Sequence, residues 1–246
     1  MGPRLGTDAL ALAGIRAGLP DDPGARKGER PIVSASLRSL NRKTLSMSRV
    51  TFYFDLGSPF AYLAAERIRT LLPEPVEWQP VLLGGLFKLT GRSSWGLGDP
   101  ARRHAGMAEI ERRAERYGLP AIRWPNQWPA DYLTAMRAAT YAFTVGKGRE
   151  FTLQAFRNAF QHGRDLSIAE NVLDAGEQAG IHRDRLDTGI RDPQIKKALR
   201  RATDTAFQLG VYGVPTIATD DELFWGDDRL DDAATHLLRT SERSRR

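Results

Sequence analysis

Ser58 is the residue whose type and position most directly suggest chemistry in this sequence. It stands immediately before Pro59, and this pair is typical of a helix start in which the serine hydroxyl caps the first turn. A serine-hydrolase nucleophile is excluded by the local pattern, because Leu56–Phe60 does not match G-x-S-x-G. The four histidines occur in helical, mostly charged or polar contexts and offer no evident general base; they are His104, His162, His182 and His236. Taken by itself, Ser58 is therefore a helix cap.

The chain has no cysteine, and this limits the chemistry that it can perform alone. Disulfide bonds, thiolate metal ligands and a redox-active dithiol are all excluded. No cluster of His, Asp and Glu has the spacing of a metal site, so we assign no metal. Any thiol chemistry must therefore use the sulfur of a bound molecule.

Four other segments have both a structural and a functional interpretation. Val214-Pro215 fits the start of a strand, where proline is tolerated. The acidic residues of Trp225–Asp228 stand at the start of a predicted helix and can cap it. Lys88 fits a solvated charge near a helix start. The loop Trp124–Pro129 is aromatic and stiffened by proline, which suits either packing at the edge of the core or contact with a flat aromatic substrate, and Asn126 is its candidate contact residue.

The elements that must position these residues follow the pattern βαβ, a helical block, and ββα. A strand is predicted at Val50–Asp55 and a second at Glu77–Leu83, joined by a helix from Pro59 to about Leu72. Between Gly84 and about Gly210 the pattern is helical almost throughout. The remaining predicted elements are helices at 100–117, 129–147, 150–162, 167–179 and 193–209, a hairpin at 216–219 and 222–225, and a last helix at 227–238.

The net charge of +6 belongs to the two ends of the chain. Residues 1–47 carry a net charge of +4 and residues 241–246 a net charge of +2, which leaves the body neutral. Without a basic stripe, a zinc finger or an RNP-type aromatic motif in the body, nucleic-acid binding is not expected. No apolar run reaches the roughly 18 residues of a membrane helix and no secretory signal is evident, so we expect a cytoplasmic protein with no membrane partner.

Four motifs, taken together, resemble one branch of the DsbA-like thioredoxin superfamily. The resemblance runs from about Val50 to Leu238 and is to 2-hydroxychromene-2-carboxylate isomerases and kappa-class glutathione transferases, which depend on glutathione. Each motif is weak alone, and their combination is specific. The motifs are Phe54–Leu63, Leu82–Lys88, Gly210–Thr216 and Phe224–Leu230.

The resemblance implies an α/β, thioredoxin-like fold (βαβ…ββα) with a large all-α insertion between the second and third strands. The thioredoxin-like domain is expected at 48–83 and 210–240, and the inserted helical domain at 84–209. Residues 1–47 mix Gly, Pro, Arg and Ser and are predicted to be a disordered extension, and 241–246 a basic tail.

The resemblance also implies a role for Ser58 beyond capping. In thioredoxin-like proteins the reactive cysteine occupies this strand-to-helix corner, and here the C-x-x-C frame reads Ser58 to Ala61. A serine cannot exchange disulfides, but its hydroxyl can donate a hydrogen bond to a bound thiolate, worth about 1.5–3 kcal/mol. The helix N-terminus adds about 0.3–1 kcal/mol for a nearby anion. Since one pKa unit corresponds to about 1.36 kcal/mol, a thiol pKa can fall by roughly one to three units.

The other candidate residues acquire roles by the same resemblance. It implies a cis peptide at Val214-Pro215, with the Val214 backbone pairing with the cysteinyl part of glutathione. It implies that the loop at the last helix holds the γ-glutamyl end and that an aspartate receives its ammonium group. It places Lys88 at the rim of the active site, near an anionic substrate, whereas Asn126 is assigned to the substrate only from its position in the Trp124–Pro129 loop. The residues assigned to glutathione are Ser58, Val214, Trp225, Gly226, Asp227 and Asp228.

The function implied is a glutathione-dependent isomerase of the 2-hydroxychromene-2-carboxylate isomerase type, with Ser58 as its catalytic residue. Its substrate would be a conjugated, aromatic-derived carboxylate, as in aromatic compound catabolism. A kappa-like glutathione transferase or peroxidase acting on electrophiles shares every residue named and stays open. A non-catalytic module that binds glutathione or a partner is a third hypothesis. By the same resemblance we expect a homodimer.

Overall fold

The computed structural model describes residues 49–73 and 75–244. The predicted disordered extension at 1–47 lies outside these residues. Among the described helices, none is both long and apolar enough to cross a membrane.

A four-stranded mixed sheet forms the centre of the fold, in the order β2-β1-β3-β4. β1 (Val50–Phe54) pairs in parallel with β2 (Val76–Pro80) and antiparallel with β3 (Thr216–Ala218), which pairs antiparallel with β4 (Leu223–Trp225). Because β1 lies between two neighbours and is covered on both faces, it has the near-continuous apolar sequence of a buried strand. The βαβ and ββ elements of the predicted thioredoxin-like fold are thus confirmed.

Helices surround this sheet on both sides. The N-terminal helix follows β1 directly, and most of the others lie between β2 and β3, as the insertion predicts. The helices are α1 (Pro59–Leu71), α2 (Leu83–Thr90), α3 (Pro100–Arg116), α4 (Leu133–Thr144), α5 (Gly148–Phe160), α6 (Ala169–Gln178), α7 (Arg183–Arg191), α8 (Pro193–Gln208) and α9 (Leu230–Ser244), with short 3-10 turns at Trp95–Leu97 and Asp227–Arg229.

The structure differs from the sequence prediction at several element boundaries. β2 ends at Pro80, three residues early, because the Leu83 N–H begins α2 and donates to the buried Asp55 carboxylate at 2.8 Å. The helices α2 and α7 have no counterpart among the individual helices predicted within the helical block. The last helix begins with a 3-10 turn and runs on to Ser244, into the segment that was expected to be a tail.

The inserted helices share one apolar core with the thioredoxin-like part. Phe156 of α5 packs with its ring centroid 6.1 Å from that of Phe54 in β1 and 6.2 Å from that of Tyr62 in α1. The opposite face of the sheet packs Tyr53 against a smaller cluster that includes Leu86 and Ala206. This continuous packing holds the start of α1 and the inserted block in a fixed relation.

Candidate active site

The corner between β1 and α1 has the geometry that the sequence predicts. Ser58 is the N-cap of α1, its Oγ accepts the Ala61 N–H at 3.2 Å, and Pro59 occupies the first helical position. Ser58 is 5% exposed, and no acidic side chain lies in the first helical turn. The prediction of a cap is therefore confirmed, at a helix end whose dipole favours an anion.

The capping hydrogen bond leaves the Ser58 hydroxyl proton free to donate to another group. A hydroxyl carries one donor and two acceptor sites, and the hydrogen bond from Ala61 uses only an acceptor site. Within the described residues, the Ser58 hydroxyl proton has no acceptor. Capping and donation to a bound anion are therefore compatible at this residue.

The inserted block supports this corner through the loop before α4. The Trp128 indole Nε1 donates to the Gly57 carbonyl at 3.1 Å. A Cβ atom on Gly57 would lie 2.4 Å from Cδ2 of Tyr132, so the aromatic ring packs directly on the backbone before Ser58. The Trp128 ring also packs at a tilt against those of Trp95 and Trp124, with centroid distances of 5.0 and 4.8 Å. The loop thus packs at the core edge, one of its two predicted roles.

The segment before β3 faces the same corner. Tyr53 pairs with Thr216, so Val214-Pro215 lies just beyond the end of β1, where the chain turns towards Ser58. The Val214-Pro215 peptide is cis, as expected. Val214 is buried, and among the described residues its backbone N–H and C=O have no hydrogen-bond partner. Such groups are rarely left unpaired in a buried backbone, and they are suited to pairing with an extended ligand.

One cavity brings together all the predicted glutathione residues except Ser58. Its volume is about 290 Å³. Phe60 of α1, two residues after Ser58, is part of its wall. Arg113 of α3 was not predicted; in the chain it is 53 residues from Phe60 and more than 100 residues from the other lining residues. The lining residues are Phe60, Arg113, Val214, Pro215, Trp225, Gly226, Asp227, Asp228 and Arg229.

The two neighbouring aspartates of this cavity have different environments. The Asp227 side chain is 1% exposed and accepts hydrogen bonds from Arg113 Nη1 at 2.7 Å and Tyr117 Oη at 3.0 Å. Burial raises the pKa of Asp227, and the Arg113 charge opposes that rise. The Asp228 side chain is 58% exposed. Asp228 is therefore the aspartate that a ligand can reach, while Asp227 is engaged within the protein.

Gly226 shapes the loop that carries both aspartates. Its φ of 117° lies in the region that favours glycine, and an added Cβ would lie 2.4 Å from Asp228 Oδ1. The Gly226 N–H donates to the Pro215 carbonyl at 2.9 Å, which links this loop to the cis-proline segment. A Cβ on Gly213 would lie 2.6 Å from Trp225 Nε1, so this indole packs closely on the backbone before Val214.

The two predicted substrate residues lie elsewhere. Lys88 is exposed on α2 and does not line the cavity described above. Asn126 lines a second cavity of about 530 Å³, together with Arg103, His104 and Trp128. Within the described part of the chain, the buried Arg103 Nε has no hydrogen-bond partner, although the guanidinium also donates to the Trp128 carbonyl. This second cavity combines an aromatic wall with cationic and amide groups.

Asp55, at the end of β1, is a buried carboxyl group for which the sequence predicted no role. It accepts the Gly57 N–H and the Leu83 N–H, both at 2.8 Å. Burial raises the pKa of Asp55 to about 6, and these two backbone hydrogen bonds oppose the rise. The carboxyl group therefore joins the end of β1, the corner and the start of α2.

The raised pKa of Asp55 predicts a loss of stability as the pH rises. The pKa of Asp55 is 3.8 in the unfolded chain and about 6 in the folded protein, so between these pH values the folded state binds the proton more tightly. Raising the pH through this range therefore favours unfolding. This contribution amounts to about 3 kcal/mol once the pH exceeds 6. We expect the difference in unfolding free energy between Asp55→Asn and wild type, measured by urea titration, to change by about 2 kcal/mol between pH 4 and pH 7, because pH 4 already lies just above the unfolded pKa. Parallel curves for the two proteins would contradict the assignment.

Comparisons with known proteins identify relatives of this chain and structures with the same fold. The chain is 29% identical over 198 residues to a 2-hydroxychromene-2-carboxylate isomerase of Sphingobium xenophagum, covering 77% of this chain and 97% of that protein. It is 25% identical to glutathione S-transferase kappa 1 of Caenorhabditis elegans, covering 75% of this chain and 88% of that protein. A solved structure of a 2-hydroxychromene-2-carboxylate isomerase superposes with a TM-score of 0.69 at 21% identity, covering 79% of this chain and 96% of the other.

The family itself is identified by a match over most of the chain. Residues 49–238 match the family model of the DSBA-like thioredoxin domain. This range begins at β1 and ends within α9, so it includes the sheet, the inserted helices and both cavities. The chain therefore belongs to the DSBA-like thioredoxin domain family.

Proposed function

We propose that this protein binds glutathione in the 290 Å³ cavity and uses its thiolate to isomerise a conjugated, aromatic-derived carboxylate. The observation that carries the proposal is the set of unpaired groups at one corner. The Ser58 hydroxyl proton and the Val214 backbone have no partners among the described residues, and the cavity beside them contains an exposed carboxylate, Asp228. These groups match the thiol, the peptide backbone and the ammonium group of glutathione.

The chain's own residues account for thiolate binding at neutral pH. Ser58 donates its hydroxyl proton to the sulfur while it keeps the cap to Ala61. The start of α1 supplies a positive partial charge, and no acidic side chain in its first turn opposes it. When bound, glutathione supplies a sulfur nucleophile that adds to a conjugated double bond, allows rotation and leaves again. Because the sulfur is recovered, the isomerisation consumes no oxidant or reductant.

The 530 Å³ cavity supports an aromatic carboxylate as the substrate. The Trp128 side chain lines this cavity and also donates to the Gly57 carbonyl, so the cavity adjoins the Ser58 corner. Arg103, with its buried and unpaired Nε among the described residues, offers a cationic donor for a carboxylate. Asn126 can donate to a further oxygen. In this proposal Lys88, which is exposed on α2, guides the anionic substrate towards the site.

A transferase acting on electrophiles is the second candidate, because relatives of this chain are named kappa-class glutathione transferases. The two activities use the same thiolate and differ in what happens after addition. An isomerase returns glutathione unchanged, whereas a transferase accumulates a conjugate.

A turnover screen with and without glutathione tests the proposal. Conjugated hydroxy-carboxylates and general electrophiles are offered to wild type and to Ser58→Ala, and products and free thiol are followed together. Isomerisation that needs glutathione without consuming it supports the proposed function, while conjugate accumulation supports the transferase. Turnover that is the same without glutathione contradicts both, and binding without any turnover indicates a non-catalytic module.

Replacing Asp228 by alanine is expected to weaken glutathione binding by about 1–3 kcal/mol, because the bound ammonium group loses its charged partner. Isothermal titration calorimetry measures the change. Asp220→Ala is the matched control, since Asp220 is an exposed aspartate in the turn between β3 and β4. Equal affinities for wild type and Asp228→Ala would show that the γ-glutamyl end binds elsewhere.

A further inference from the structure

We propose that Arg113, a residue of the inserted helix α3, binds the free carboxylate of glutathione's γ-glutamyl end beside Asp228. The inference rests on the proposed binding of glutathione in this cavity. The γ-glutamyl end carries an ammonium group and a carboxylate on one carbon atom. Arg113 and Asp228 would therefore recognise this end as a zwitterion and set the specificity of the site.

Arg113 has one donor group left for a ligand. Its Nε donates to Glu109 Oε1 and its Nη1 donates to Asp227 Oδ1, both at 2.7 Å. Its Nη2 has no hydrogen-bond partner within the described residues. The side chain is 19% exposed and lines the cavity, so a bound carboxylate can reach this donor.

The guanidinium group forms a long ion pair with the exposed acid and no hydrogen bond to it. Arg113 Nη1 is 3.6 Å from Asp228 Oδ2, which is longer than a charge-assisted hydrogen bond. A positive and a negative group thus stand side by side on the cavity wall. This is the complement of an ammonium group and a carboxylate attached to the same carbon.

The protein fixes the guanidinium group before any ligand binds. Asp227, which binds Arg113, is itself held by the Tyr117 hydroxyl at 3.0 Å. The Arg113 guanidinium also lies 5.4 Å from the ring centroid of Phe60, which immobilises its other face. A group that is already ordered loses little conformational entropy on binding.

Arg229 is the other cation on this cavity wall, and its contacts are less suited to the role. Its Nε binds Asp232 Oδ2 at 2.5 Å, and its guanidinium lies 5.7 Å from the Phe224 ring centroid. Its side chain is 46% exposed, against 19% for Arg113, so water competes more for its remaining donors.

Calorimetry with a truncated ligand tests the inference without relying on activity. The probes are glutathione and 4-aminobutyryl-cysteinyl-glycine, which lacks only the γ-glutamyl carboxylate. Wild type is expected to bind the truncated peptide about 10- to 100-fold more weakly, as for the loss of a charge-assisted hydrogen bond. The doubly substituted Arg113→Met/Asp227→Asn protein, which leaves no buried charge unpaired, is expected to bind both peptides equally.

Three further variants make the result decisive. Arg112→Met, on the exposed side of the same helix, should keep the wild-type preference for glutathione. Arg113→Lys keeps a charge beside Asp227, and its preference should be smaller than in wild type; it replaces the double variant if that protein does not fold. Equal binding of both peptides by wild type, or loss of the preference in Arg229→Met alone, would overturn the inference while leaving glutathione binding intact. Failure of wild type to bind glutathione would instead refute the proposed function, and this inference with it.

Discussion

Replacing Ser58 by alanine is expected to raise the pKa of the glutathione thiol in the bound state by about one to two units, since a hydrogen bond to the thiolate is worth about 1.5–3 kcal/mol. Turnover at neutral pH should fall about 10- to 100-fold, because less of the bound cofactor is ionised. Part of the loss should be recovered as the pH rises through the new pKa. Thiolate absorbance of bound glutathione, recorded against pH, measures the shift directly.

The same substitution also removes a helix cap, so a control must separate the two effects. Losing the cap should cost about 0.5–2 kcal/mol of stability. Asp192 caps α8 in the same way, before Pro193, and its carboxylate accepts the Gln194 N–H at 2.7 Å. Asp192→Ala should therefore lower stability without moving the thiol pKa. If bound glutathione titrates at the same pH in wild type and Ser58→Ala, Ser58 is a cap only and the proposed mechanism is wrong.

Replacing Arg113 alone by methionine is expected to destabilise the fold by about 3 kcal/mol, because it leaves the buried Asp227 carboxylate without its cation. The cost should be largest at alkaline pH. Burial already raises the pKa of Asp227, and loss of the opposing Arg113 charge would raise it further, so the variant recovers stability as the pH falls and the carboxyl group takes up a proton.

Urea unfolding of Arg113→Met at pH 5 and pH 8 tests this expectation. Arg113→Met/Asp227→Asn should be more stable than Arg113→Met at pH 8, since the uncompensated charge is gone. Arg112→Met, which loses only an exposed pair with Glu109, should change stability by less than about 1 kcal/mol. If Arg113→Met loses little stability, and the same amount at both pH values, then water or another group already compensates the charge of Asp227.

The features that could be predicted from the sequence are those fixed by neighbouring residues. Ser58 and Pro59 define the start of α1 because capping and the restricted φ of proline act within one turn. The hairpin of β3 and β4 follows from alternating apolar residues around Asp220-Asp221. The order of the motifs led to the thioredoxin-like fold, which the family match confirms. The boundaries of β2 and α2 were less predictable, because Asp55 and Thr203, distant in the chain, accept the N–H groups at that turn.

The sequence by itself determined that a sulfur nucleophile must come from outside the chain and that Ser58 begins a helix, since both statements depend only on residue types and adjacent positions. Only the tertiary structure decided which of two adjacent aspartates a ligand can reach. Asp227 and Asp228 look equivalent in the sequence, yet Arg113 and Tyr117, 114 and 110 residues away, bury and engage the first and leave the second exposed. A buried charge needs a partner because desolvation makes an unpaired charge costly. Packing between elements that are distant in the chain supplies this partner for Asp227, and no local sequence pattern encodes it.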